Sequence, residues 1–133
     1  MAYERLLKNL EYNKDKYTTK YSAKNPWRED GEHVYILINN GREAMVDKYD
    51  FFDLRLYSYH WHSSSTSPAF DYPITNLPDY SGKLMRLGLH QLIAGKKPGL
   101  VIDHMDGDHY NASRWNLRHG SVRKNNTNRH KAS

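Results

Sequence analysis

A β-hairpin in the first third of the chain constrains its fold more than any other segment. Residues 33–38 read His-Val-Tyr-Ile-Leu-Ile, and Asn39-Asn40-Gly41-Arg42 separates them from Glu43-Ala44-Met45-Val46. β-Branched and aromatic residues favour strands, whereas asparagine and glycine accept the backbone angles of a tight turn. The sequence therefore predicts two antiparallel strands joined at residues 39–42.

Further elements are predicted on both sides of this hairpin. Apolar residues at helical spacing predict short helices at residues 3–21, 47–56 and 90–94, the last ended by Gly95. Alternating aromatic or apolar residues predict strands at residues 57–62 and 83–87. Serines, aspartates and prolines predict loops at residues 63–68 and 71–80. Together these elements predict an α+β fold.

The last third of the chain places polar side chains at the ends of predicted elements. The pattern predicts a strand at 100–104, a polar loop at 105–115, a strand at 116–119 and a helix with Ser121 as its N-cap. Asp103 and His104 then end the first strand, and Asn116 begins the second. Asn125 lies on the second turn of the helix. Hydrolysis of a phosphodiester requires a base for water, a group that orients the base, and a metal at the phosphate.

Composition narrows the chemistry and the partner. The chain has no cysteine, which excludes disulfides and cysteine-based zinc sites, so any metal must be bound by His, Asp or Asn. Residues 84–133 contain nine Lys and Arg against three acids and carry a charge of +6, whereas residues 1–83 carry −1. A basic carboxy-terminal part favours a polyanionic partner. An ordinary solubilising surface is the alternative interpretation.

Beyond these patterns, the chain resembles the HNH family of endonucleases, which has a ββα-metal fold. The resemblance covers residues 33–130 and is most specific in the last third. It is carried there by Leu89-His90-Gln91-Leu92-Ile93, Asp103-His104-x-x-Gly107-Asp108, Asn116-Leu117-Arg118, Asn125 and Asn128. Residues 44–50 and 59–61 are similar to the amino-terminal part of phage and intron-associated homing endonucleases of this family.

The resemblance implies a role for each of four residues. His104 is expected to be the general base, and Asn116 is expected to position the His104 ring. Asp103 and Asn125 are expected to bind one divalent cation, Mg²⁺ or Mn²⁺, because oxygen ligands suit hard cations. No organic cofactor is expected. The reaction implied is hydrolysis of DNA to 5′-phosphate and 3′-hydroxyl ends.

Two positions depart from the family pattern. Asn111-Ala112 stands where members often carry Asp-Asn or Asn-Asn before Asn-Leu-Arg, so an amide that braces the loop is missing or shifted. Asn125 stands where many members have histidine as the last metal ligand. The second departure favours a hard cation over zinc.

Double-stranded DNA is the expected partner. Arg118 is expected either to contact a phosphate or to pair with Asp106 or Asp108. The candidates for contact with the DNA backbone are Lys96, Lys97, Arg118, Arg123, Lys124, Arg129 and Lys131. A solvated helix face is the alternative interpretation of these cations.

The chain divides into three predicted parts of one compact domain. Residues 1–30 are predicted to form a helical extension, residues 31–99 a mixed β region that supports DNA binding, and residues 100–133 the ββα-metal motif. The length of 133 residues suits a single domain. No apolar run approaches the length of a membrane span, and we expect a cytoplasmic protein.

Three interpretations compete with a homing-type endonuclease. A restriction-type or weakly specific HNH nuclease uses the same chemistry. A DNA-binding module that retains the ββα shape without cutting belongs to a different class. The third is a basic structural protein in which the spacing is coincidental, and a lack of salt-sensitive DNA binding would support it.

Overall fold

The computed structural model describes residues 16–65, 67 and 70–121, which form three small antiparallel sheets and two short helices. The first sheet contains β1 (Trp27–Asp30), β2 (His33–Leu37) and β3 (Glu43–Asp47), and α1 (Lys48–Asp53) follows it. The second contains β4 (His62–Ser63), β5 (Pro73–Pro78) and β6 (Leu84–Gly88), followed by α2 (Leu89–Ala94). The third pairs β7 (Leu100–His104) with β8 (Leu117–Ser121).

The predicted hairpin of β2 and β3 is confirmed. Leu37 pairs with Glu43 beside the turn, and the register continues to the pair of His33 and Asp47. Alternate residues of both strands face the core, so Val34 and Val46 are fully buried. The core also contains the large side chains of Trp27, Phe51, Leu56, Trp61, Leu89 and Tyr110. The α+β prediction is likewise confirmed.

The amino-terminal prediction lies mostly outside the described residues. Within them, Thr18 bridges Trp27, and residues 20–22 form a turn of 3-10 helix. β1 pairs with β2 throughout its length, so residues 27–30 belong to the first sheet and not to a helical extension.

The strand predicted at residues 57–62 is wrong. Arg55 adopts a left-handed backbone with φ of 51°, and residues 56–58 then form a 3-10 turn. Trp61 is fully buried, and its indole N–H donates to the carbonyl of Leu56 at 2.9 Å. The alternation of aromatic residues therefore reflects packing around the core, and only His62 of that segment enters a strand.

The loop predicted at residues 71–80 is also wrong in its central part, because residues 73–78 form β5. Pro73 and Pro78 are its first and last residues, where the missing N–H is least costly to a strand. The strand at 84–88, the helix at 48–53 and the helix at 89–94 confirm the other predictions. Gly95 ends the last helix with a positive φ of 80°. None of the described helices is long and apolar enough to cross a membrane.

Candidate active site

The β7–β8 hairpin brings three of the predicted site residues together. His104 ends β7 opposite Leu117, and Asp103 lies opposite Arg118. Asn116 immediately precedes β8, as the last residue of a 3-10 turn at residues 114–116. The two strands predicted here are therefore confirmed, with the second displaced to residues 117–121.

The helix predicted after β8 lies outside the described residues. Ser121, predicted as its N-cap, is the last described residue and belongs to the strand. The predicted metal ligand Asn125 lies beyond it, as do four of the predicted DNA-binding residues, namely Arg123, Lys124, Arg129 and Lys131.

His104 is buried at the end of its strand. Its residue surface is only 6% exposed, and its Nε2 is buried without a hydrogen-bond partner in the described part of the chain. Burial, and then the proximity of His109, lower the pKa of His104 to about 4. The imidazole is therefore neutral near pH 7, and one of the two nitrogens of a neutral ring can accept a proton.

The Asn116 side chain bonds to the loop after His104 and not to the His104 ring. Its Nδ2 donates to Asp106 Oδ1 and to the carbonyl of Asn111, each at 2.8 Å. Its Oδ1 accepts from the backbone N–H of Asp106, and its carbonyl accepts from the N–H of Met105. The Asn116 side chain therefore braces the backbone that follows the histidine.

The loop at residues 105–115 is fixed by further side chains. Asn111 Nδ2 donates to Asp106 Oδ2 at 2.8 Å, and Ser113 Oγ donates to Asn111 Oδ1 at 2.6 Å. The Asn111 amide thus braces this loop. Met45 of β3 also bonds to the loop backbone, since its N–H donates to Tyr110 and its carbonyl accepts from Ala112. The loop is therefore anchored to the first sheet.

Asp103 is the described residue best suited to a hard cation. Its side chain is 22% exposed, and Oδ2 accepts from Arg118 Nη2 at 3.2 Å. Arg118 thus pairs with Asp103, and the predicted pairing with Asp106 or Asp108 is wrong. Among the described residues, no group of three His, Cys, Asp or Glu side chains can bind a metal ion. A cation site here requires Asp103 together with ligands from beyond residue 121 or from water and substrate.

Three residues beside His104 were not predicted as part of a site. The His90 and His109 rings lie 5.1 and 5.3 Å from the His104 ring, measured between centroids. Tyr72 stacks on His109 at 4.2 Å and contacts His90 at 5.4 Å. The sequence favours surface or packing roles for His90 and His109, because neither shows a ligand spacing. Only the fold brings these rings to the end of β7.

An open groove of about 1090 Å³ runs beside this cluster. Its walls come from β5, β6, α2 and β7. Among the described residues, three cations and no acidic residue line it, and the cations are Arg86, Lys96 and Lys97. Tyr72 and His90 line the groove and also contact the His104 ring. Lys96 and Lys97, two of the candidates for contact with DNA, thus line this groove together with Arg86, which was not among the candidates.

Comparisons of the chain with protein-family models, with curated proteins and with solved structures find no match.

Proposed function

We propose that this protein is a divalent-metal-dependent DNA endonuclease of the HNH type, acting as a homing endonuclease does. The observation that carries the proposal is the end of the β7–β8 hairpin. A carboxylate and a buried imidazole with a free nitrogen are adjacent there, and a fully buried asparagine fixes the loop that follows them. The resemblance in the order of Asp103, His104 and Asn116 supports the same assignment.

In this proposal His104 accepts a proton from the attacking water. The neutral state of its ring near pH 7 suits a base, although a pKa of about 4 makes it a weak one until substrate alters its surroundings. Attack at phosphorus breaks the bond to the 3′ oxygen, which takes up a proton from solvent, so that 5′-phosphate and 3′-hydroxyl ends remain. Asn116 acts through the loop backbone, because its side chain does not reach the ring.

Asp103 and Asn125 are proposed to hold Mg²⁺ or Mn²⁺. Two oxygen ligands from the protein leave most of an octahedral shell for water and phosphate. The cation, when bound, offsets the negative charge that develops at the phosphate and the departing 3′ oxygen. The Asp103–Arg118 ion pair must open or be shared for this carboxylate to bind the cation, and Arg118 then becomes free to contact a phosphate.

The basic groove is proposed to contact the DNA backbone. Arg86, Lys96 and Lys97 line one continuous surface that ends against the ring cluster around His104. Phosphate contacts position a protein on a duplex without reading its sequence. This surface therefore supports DNA binding equally in a homing, a restriction-type or a weakly specific nuclease.

A non-cutting DNA-binding module is the second candidate, and the Asp103–Arg118 pair favours it. A carboxylate already neutralised by arginine needs no cation, and the basic groove alone suffices for binding. In that case the site residues contribute only to the fold.

The test is cleavage of supercoiled plasmid and phage genomic DNA by the full chain, with Mg²⁺, Mn²⁺ or EDTA. We expect metal-dependent cuts with 5′-phosphate ends for the wild type and none for His104→Ala. His33→Ala, a change on the first sheet, is the matched control and is expected to cut normally. Salt-sensitive binding without cutting under either metal would overturn the nuclease and leave the binding module.

A further inference from the structure

His90 lies between the basic groove and His104. It occupies the first turn of α2 and lines the groove, and its ring centroid is 5.1 Å from that of His104. None of the chemical roles assigned above uses it. We propose that His90 is a positioning residue that sets the orientation of the His104 imidazole, an inference that rests on the proposed function for its catalytic consequence.

The strand–helix junction keeps a space open for this ring. A Cβ atom at Gly88 would lie 2.5 Å from Cε1 and 2.8 Å from Nδ1 of His90. The backbone of Gly88 is ordinary, with φ of −74°, so the absence of a side chain is required by space and not by conformation. Any larger residue at position 88 must push the imidazole away from its present position.

The first turn of the helix is also fixed. The N–H of Gly88 donates to Gln91 Oε1 at 2.9 Å, which ties the residue before the helix to its third position. Tyr72 packs beside the ring at a centroid distance of 5.4 Å. His90 therefore has little freedom to turn away from His104.

A role in packing alone does not explain an imidazole at this position. His90 Nδ1 is buried without a hydrogen-bond partner among the described residues, and so is His104 Nε2. A buried nitrogen without a partner destabilises the fold, and a leucine would fill the space without that penalty. Two imidazoles, each with an unpaired nitrogen and only 5.1 Å apart, indicate a functional pair.

The experiment compares His90→Leu, Gly88→Ala and the double variant Gly88→Ala/His90→Ala with His90→Ala and wild type. Single-turnover cleavage, DNA binding without metal, the thermal midpoint and NMR of the imidazole nitrogens are measured for each. We expect His90→Leu to keep its DNA affinity and to have a thermal midpoint at or above that of wild type, while cleavage slows by about 100-fold, because small misplacements of a catalytic group cost that much. The tautomer and shifts of His104 should change.

The effects of substitutions at positions 88 and 90 on the cleavage rate should also be non-additive. Gly88→Ala alone is expected to slow cleavage by displacing the ring, whereas adding it to His90→Ala should change nothing, because the atom it would strike is gone. His33→Leu, a histidine on the first sheet, is the matched control. Additive effects would show that residue 88 acts independently of the ring and would overturn the argument.

Failure of this inference is distinguishable from failure of the proposed function. If wild type cuts, His104→Ala does not, and His90→Leu cuts at the wild-type rate with unchanged His104 resonances, the positioning role is wrong and the nuclease stands. If wild type does not cut, the nuclease is wrong. The His104 resonances in His90→Leu then decide the positioning role, since unchanged resonances refute it and altered ones support it.

Discussion

Asn116 and Asp106 bond to each other twice. The Asn116 amide donates to Asp106 Oδ1 at 2.8 Å, and its Oδ1 accepts from the N–H of Asp106 at 2.8 Å. Asn116 is fully buried, whereas Asp106 lies on the exposed loop. The pair therefore connects the start of β8 to the chain just beyond His104, and it adds to the contacts of Asn111 and Met45 that hold the same loop.

Asn116→Ala is predicted to lower the free energy of unfolding by about 3 kcal/mol, because three hydrogen bonds of this buried side chain are lost. Asn116→Asp is expected to be no more stable than Asn116→Ala, because it replaces an amide that donates two hydrogen bonds by an oxygen that faces two acceptors. Urea denaturation measures both. Asn76→Ala, at an exposed position of β5, is the control and should change little. Equal stability of Asn116→Asp and wild type would contradict this account.

Much of the fold follows from local sequence, because its signals are local. The β2–β3 hairpin is specified by an Asn-Gly turn after a run of β-branched and aromatic residues, and β7 by a short apolar segment before a polar loop. Residues 57–62 gave a false strand because Trp61 and Tyr59 alternate for reasons of packing. β5 was missed because its prolines, which usually mark loops, stand at its two ends.

The candidate site likewise contains residues whose proximity the sequence predicts and residues whose proximity it does not. Asp103, His104 and Asn116 are adjacent along one hairpin, so their order in the sequence predicts their proximity. His90 and Tyr72 lie 14 and 32 residues before His104, and contacts over such separations depend on how the sheets pack. The parallel bridge between Met45 and Asn111 is another contact between residues that are far apart in the sequence. No periodicity or turn signal encodes these contacts.

The Asp103–Arg118 ion pair predicts that a substitution of Arg118 changes the Mg²⁺ concentration that cleavage requires. Arg118→Gln removes a cation that competes for the carboxylate, so the Mg²⁺ concentration for half-maximal cleavage should fall about threefold, as expected for a partly exposed ion pair. Cleavage rates over a magnesium titration measure this. Lys48→Gln, which breaks a comparable pair with Glu29 on another sheet, should leave the titration unchanged. A higher requirement in Arg118→Gln would show that the arginine assists metal binding.

The basic groove predicts a specific salt dependence. Each lysine that neutralises a phosphate contributes about 0.9 to the slope of log affinity against log salt. Lys96→Gln and Lys97→Gln should therefore each reduce the slope by about 1 while weakening all duplex sequences alike. Fluorescence anisotropy over a range of salt measures the slope, with Lys48→Gln again as the control. An unchanged slope in both variants would place the DNA elsewhere on the protein.

The buried histidines predict that stability falls in mildly acidic solution. Burial, and then His104, lower the pKa of His90 to about 3, and burial lowers that of His104 to about 4. In the unfolded chain both titrate near 6.5, so between these values the unfolded state binds more protons and stability rises with pH. The contribution is fully present above pH 6.5 and is lost as pH falls toward the folded pKa values.

Between about pH 7.5 and pH 5, each of these histidines should therefore lower the free energy of unfolding by about 2 kcal/mol. This range lies above the titration of ordinary carboxylates, whose unfolded pKa values are near 4. Over the same pH interval the free energy of unfolding of His90→Leu should fall by about 2 kcal/mol less than that of wild type, because the variant has no imidazole to titrate at position 90. Urea denaturation at both pH values measures the difference. An identical fall in wild type and variant would mean that the His90 ring is accessible to protons in the folded protein.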